Sequence, residues 1–148
     1  MNAHPYLKAF LSGAFVPTLV LPLILAGFIV LRLGMQIPIP IEQGLVFPMA
    51  LVPCLWALWN MLWLASHTQT HLPLGLHGAL LPLLLMPAGA ATAAYLKVLS
   101  ISTWSVTWFH ALNVPYALIA PVFACVLVGY YLVWKYIVGF VNRVLGIA

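Results

Sequence analysis

Three histidines, His67, His71 and His77, fall within one polar stretch, SHTQTHLPLGLHG. Histidine is the commonest protein metal ligand, and three protein ligands are enough for a catalytic zinc site. The spacing of four would put His67 and His71 on one face if the stretch were helical. Against a metal stand Pro73 and Gly75, which break the segment, and the lack of a nearby carboxylate or cysteine. The stretch is therefore read as a polar connection with interfacial histidines. His67, His71 and His77 are kept as residual metal candidates, and no cofactor is assigned. Haem held between helices needs histidines on facing spans. These three lie at one membrane face and His110 is placed at the other.

Other chemistry is sparse. There is no nucleophile beside a base, no glycine-rich phosphate loop and no thiol pair. The one acidic side chain, Glu42, lies outside the apolar runs, which argues against a carrier that uses an intramembrane acid. Cys54 and Cys125 each sit inside an apolar run and read as small buried hydrophobes rather than a disulfide. No catalytic residue is assigned, and an enzyme is not expected.

Two patterns bear on packing. Trp56, Trp59, Asn60 and Trp63 share one helical stripe. The stripe could cradle a lipid tail. It reads more simply as Trp56 packed inside, with Trp59 and Trp63 in an interfacial belt. Asn60 needs a hydrogen-bond partner if it lies in hydrocarbon, and Thr18 and Thr92 are the polar candidates. Further on, Gly89, Ala90, Ala91, Ala93 and Ala94 form a small-residue face that would let a neighbouring backbone approach closely.

These residues must be positioned by elements suited to an apolar solvent. Of 148 residues, 66% are hydrophobic and only 4% are charged, against about 25% charged in a soluble domain. Five cations accompany the single acid. They are scattered and lie toward the ends of apolar runs, so they read as headgroup anchors and not as a nucleic-acid surface. Four runs reach the roughly 20 residues a bilayer requires: residues 9–34, 45–66, 78–99 and 114–139. They do not alternate as barrel strands do, so they read as helices. No signal-peptide cleavage pattern follows the first run, which is expected to stay as an anchor. Residues 100–113 are too polar to span. Trp104 and Trp108, four apart, predict a short interfacial helix there, with a plain loop as the alternative.

Each run carries a proline pair: Pro17 and Pro22, Pro48 and Pro53, Pro82 and Pro87, Pro115 and Pro121. LSGAFVPTLVLP, from Leu11, aligns without a gap on LHGALLPLLLMP, from Leu76. Gly13, Pro17, Pro22 and Arg32 recur as Gly78, Pro82, Pro87 and Lys97. The second and fourth runs match less well. The sequence thus predicts an all-α, four-helix membrane bundle in one domain, residues 1–148, built as a tandem duplication of a two-helix hairpin. The deeper proline of each pair is expected to kink its helix. Lys8, Lys135 and Arg143 on one side outnumber Arg32 and Lys97 on the other, which favours cytoplasmic termini. The expected partners are the lipid bilayer and other membrane helices. The functional expectation is an accessory subunit or homo-oligomer that acts through helix packing. The alternative is a small transporter or channel completed by oligomerisation.

Overall fold

A backbone in hydrocarbon must satisfy its own N–H and C=O groups, and a helix does so within one segment. The apolar runs form helices accordingly. The computed structural model describes residues 4–37, 47–108 and 112–147. The helices are α1 (Pro5–Gly34), α2 (Phe47–Thr70), α3 (Leu74–Tyr95) and α4 (Tyr116–Leu132). α4 continues through a π-helical stretch, Val133–Val138, into α5 (Gly139–Val144). Among the described residues, the helical stretches Pro5–Gly34, Leu74–Tyr95 and Tyr116–Val144 are long and apolar enough to cross a membrane. That is the make-up of a helical membrane protein.

The second helix runs further than the expected end at residue 66. Ser66 and Thr70 donate their hydroxyls to the Leu62 and Ser66 carbonyls, at 2.8 and 3.1 Å. Bonded back into their own helix, these polar side chains do not end it. His71 ends it by taking a left-handed conformation, φ 51°. Pro73, extended at ψ 142°, then caps α3, as suits a residue whose missing N–H would be unpaired in the first turn anyway. The polar connection is thus only residues 71–73. α3 in turn stops at Tyr95, short of 99. Lys97 turns left-handed, φ 58°. Val98 N–H then donates to the Ala93 carbonyl and Lys97 N–H to that of Ala94, both at 3.0 Å, which is a Schellman closure. α5 closes in the same way on Gly146, where glycine accepts the positive φ of 69° without strain. A left-handed residue with a Cβ costs roughly 1–2 kcal/mol. His71→Gly is therefore expected to raise stability by about 1 kcal/mol, read as a higher midpoint of thermal unfolding in mild detergent.

The described part of this segment, residues 100–108 and 112–113, forms neither an interfacial helix nor a plain loop. It contributes to an antiparallel sheet in the order β1-β2-β3. Its strands are β1 (Leu99–Ile101), β2 (Ser105–Trp108) and β3 (Leu112–Pro115). Ser100 faces Thr107, which in turn faces Asn113. The segment is rich in Ile, Val, Thr and Trp, which suit a pleated surface better than a helix. The first turn is closed by serines. Ser102 Oγ donates to the Ser105 carbonyl at 2.9 Å and accepts from its N–H at 3.1 Å. Tyr116 Oη donates to the Ser102 carbonyl at 2.6 Å and ties the sheet to α4. The chain is therefore mostly helical rather than all-α.

Most of the buried residues gather at one end of the molecule, while Ala93 and Val98 are buried at the far end of α3. At the first end they come from the N-terminal half of α1 (Ala9, Ser12, Gly13, Pro17), from the middle of α2 onward (Trp56, Ala57, Asn60, Trp63) and from the N-terminal half of α3 (His77, Gly78, Leu81, Pro82). The π stretch and α5 add Trp134, Val138 and Asn142. The start of α1, the end of α5 and the 71–73 connection therefore lie at this end. Beyond it the helices present bare apolar surface: Leu23, Val30 and Leu33 of α1, Leu84 and Tyr95 of α3, Leu118 and Val122 of α4. Cys54 and Cys125 are free and exposed, on the outer faces of their helices and not in the interior expected for them.

Candidate functional site

The seam between α1 and α2 is made of small residues at helical spacing. Ala9, Ser12 and Gly13 of α1 are buried, and Gly13 lies against Trp56, Ala57 and Asn60 of α2. A Cβ on Gly13 would stand 2.6 Å from the Trp56 carbonyl oxygen and 2.8 Å from the Ala57 Cα. The two backbones are therefore in contact, as small residues permit in the absence of a hydrophobic force between helices.

This closeness lets α2 reach past α1 to the last helix. Asn60 Nδ2 donates to the Ala9 carbonyl at 2.9 Å and to Asn142 Oδ1 at 3.0 Å. Asn142 Nδ2 donates back to Asn60 Oδ1 at 3.2 Å. Both amides are 0% exposed. The pair joins α2 to α5 and the carbonyl bond joins both to α1, so three helices share one polar clamp. Ser12, equally buried, has a hydroxyl with no hydrogen-bond partner among the described residues.

A second clamp ties α2 to α3. Trp59 Nε1 donates to the His77 carbonyl at 2.8 Å. A carbonyl only accepts, so His77 Nε2 carries the proton it shares with the Trp59 carbonyl at 3.0 Å. The rings stack, with centroids 4.7 Å apart. Next to them Trp134 fills the centre of the bundle, 5.3 Å from the Trp56 ring. It lies directly on Gly78, where a Cβ would fall inside the Trp134 side chain. Trp134 is part of the π stretch. Such insertions re-aim a side chain by widening one turn, and here the re-aimed residue is the largest fully buried side chain.

The residues singled out in the sequence are placed as follows. The three histidines do not converge. His67 is in α2, stacked on Trp63 with Nδ1 2.9 Å from the Leu64 carbonyl. His71 is the left-handed end of α2, and His77 is buried against Trp59. Among the described residues no group of three His, Cys, Asp or Glu could hold a metal. His110 and Glu42 lie outside the described residues. Asn60 meets neither Thr18 nor Thr92. Those two are exposed and donate to the Ala14 and Ala88 carbonyls of their own helices, at 2.7 and 2.8 Å. Of the small-residue face on α3, Ala93 is buried, Ala90 is half-buried, and Gly89, Ala91 and Ala94 are exposed. A Cβ on Gly89 would meet nothing within 4 Å.

Three residues of the clamped end were missed in the sequence: Ser12, Trp134 and Asn142. One signal was available. Asn142 continues the fourth apolar run past residue 139, where an amide in apolar company needs a partner of its own kind. In comparison with known proteins, no family model matches this chain, and no curated protein and no solved structure matches it.

Proposed function

We propose that this chain is a four-span membrane protein that works by helix association, as an accessory subunit or as a homo-oligomer. The supporting observation is that the amide and threonine side chains of its spans bond within the chain. Asn60 is tied off against Asn142 and Ala9, and Thr18 and Thr92 are spent on their own helices. A small transporter or channel completed by oligomerisation, the alternative, would call for Thr18, Asn60 and Thr92 to converge on a path, and among the described residues they bond elsewhere. The exposed small residues of α3 and the bare outer halves of the helices are the surface for partner helices.

The architecture we infer is a duplicated hairpin, α1–α2 followed by α3–α4, related by an axis along the membrane normal. The burial pattern supports this. Residues 11–15 run exposed, buried, buried, half-buried, exposed, and residues 76–80 repeat the sequence; Pro17 and Pro82 are both buried. Gly13 and Gly78 occupy matched positions, and each seats a close neighbour. The clamped end, with Lys8, Lys135 and Arg143, would face the cytoplasm.

Enlarging the exposed small residues tests the association. Gly89→Leu and Ala91→Leu should weaken assembly by about 1–3 kcal/mol, as overpacking a close contact does. Neither should change unfolding of the separated chain. Ile29→Phe, on the exposed surface of α1, should change neither. Light scattering in mild detergent reads the particle size. Equal sizes for all three variants and the parent would exclude α3 as the contact.

A further inference from the structure

At the clamped end a groove of about 350 Å³ opens between α2, the start of α3 and the last helix. One wall is a single stripe of residues four apart: Tyr131, Lys135, Gly139 and Arg143. The opposite wall is Trp63 with Leu74 and Gly75. Two glycines set how closely its walls approach. A Cβ on Gly75 would stand 2.8 Å from the Tyr131 ring and 3.1 Å from Lys135 Cβ. A Cβ on Gly139, on the floor between the two cations, would reach Leu74 at 3.4 Å and the Arg143 guanidinium at 3.8 Å. The Lys135 ammonium sits over two rings, 5.4 Å from the centre of Tyr131 and 5.2 Å from that of Tyr136. It is therefore held at the groove's rim and not free to sweep through solvent.

Two cations thus flank one small opening, in a chain whose only acidic side chain is Glu42. Neither has a carboxylate side chain near it in sequence. The groove lies at the end of the last apolar span, where aromatic and basic side chains meet headgroups. From this geometry we propose that the groove binds the phosphate of an anionic phospholipid headgroup. The Arg143 guanidinium presents a planar fork suited to two phosphate oxygens, and Lys135 adds a point charge. Basic pockets between membrane helices take anionic headgroups in this way. The lipid's acyl chains would then run along the apolar faces below. The proposal rests on the membrane setting and is independent of the association reading.

The test uses delipidated full-length protein in mild detergent, titrated with phosphatidylglycerol, with phosphatidylcholine or with inorganic phosphate. Bound lipid is counted by native mass spectrometry and stability is read by thermal unfolding. Phosphatidylglycerol should bind at one saturable site and raise the midpoint. Phosphatidylcholine, whose phosphate is offset by its quaternary ammonium, should bind more weakly, and inorganic phosphate should not raise the midpoint. Lys135→Gln and Arg143→Gln should each weaken phosphatidylglycerol binding about fivefold, and together about twenty-five-fold, as loss of one headgroup-facing cation apiece implies. Both side chains are exposed; Lys135→Gln gives up its contacts with two rings, so the lipid-induced rise is read for each variant against its own lipid-free melting. Lys97→Gln, at the far end of α3, should leave binding unchanged. Equal binding of the two lipids, a matching effect of inorganic phosphate, or a loss as large in Lys97→Gln as in the double variant would each overturn the proposal.

Discussion

Gly78→Ala is expected to destabilise the protein by about 3 kcal/mol, at the upper end of what overpacking a filled core costs. The added methyl has no room. It would fall within the Trp134 side chain, at the Cβ and Cγ through which that residue is anchored to its helix. Rotation of the ring cannot clear those atoms, so the π stretch must move away from α3. Trp134 is fully buried and packs on Trp56, and the same cluster includes Leu81 and Val138. A shift of the helix therefore loosens contacts to α2 and α3 together. Gly13→Ala should act similarly through the Trp56 and Ala57 backbone, which is no easier to displace. Gly89→Ala supplies the control. It adds the same methyl to the same kind of helix, where nothing in its own chain stands within 4 Å, and the separated chain should be no less stable than the parent. Thermal unfolding and detergent titration of the three variants read the difference. A Gly78→Ala protein as stable as Gly89→Ala would show that α3 does not rest on Trp134 as described.

Breaking the amide pair should have the second-largest effect, and its signature is non-additivity. Asn60→Leu leaves Asn142 with a buried donor and acceptor unpaired, and also removes the bond to the Ala9 carbonyl. An unpaired buried polar group costs about 1–3 kcal/mol. Asn142→Leu should cost somewhat less, because Asn60 keeps its bond to Ala9. The double variant should be more stable than the sum of the two losses predicts, since no orphaned amide remains. Coupling energies between polar groups in membrane helices reach about 1–2 kcal/mol, which sets the size to look for. Strict additivity would mean that the two amides do not interact.

Both effects reside in residues that the sequence marked only indirectly. The helices were legible because about 20 apolar residues without a charge have few other structures open to them in lipid. The correspondence of Gly13 with Gly78 was visible as an ungapped match, but its consequence was not. Which small residue touches a neighbour depends on how the helices turn about their axes, and that is settled by packing. The run at 88–94 advertised itself by composition, whereas single glycines beside Ser12 and His77 carry the closest contacts.

The clamp was half legible. Asn60 stood out because an amide in hydrocarbon must be bonded. Its partner is 82 residues away and lies past the assumed end of the last span. The histidines misled for a local reason. Ser66 and Thr70 satisfy their hydroxyls within α2, so a stretch that looks like a loop is mostly helix, and His77 is carried into the core. The sheet misled through periodicity. Residues four apart share a face in a strand as well as in a helix, so the spacing alone did not select a helix, and Trp104 in fact lies in the turn before β2.

The central claim is that the clamped end is complete within one chain while the outer halves of the helices are completed by other helices. Native mass spectrometry of the protein released from lipid nanodiscs made directly from membranes tests it most directly. The account predicts particles heavier than one 16.2 kDa chain, either whole multiples of that mass or one chain with a second membrane protein. Gly89→Leu should shift the distribution to the single chain. A parent protein found only as a single 16.2 kDa chain carrying lipid, with Gly89→Leu indistinguishable from it, would contradict the account.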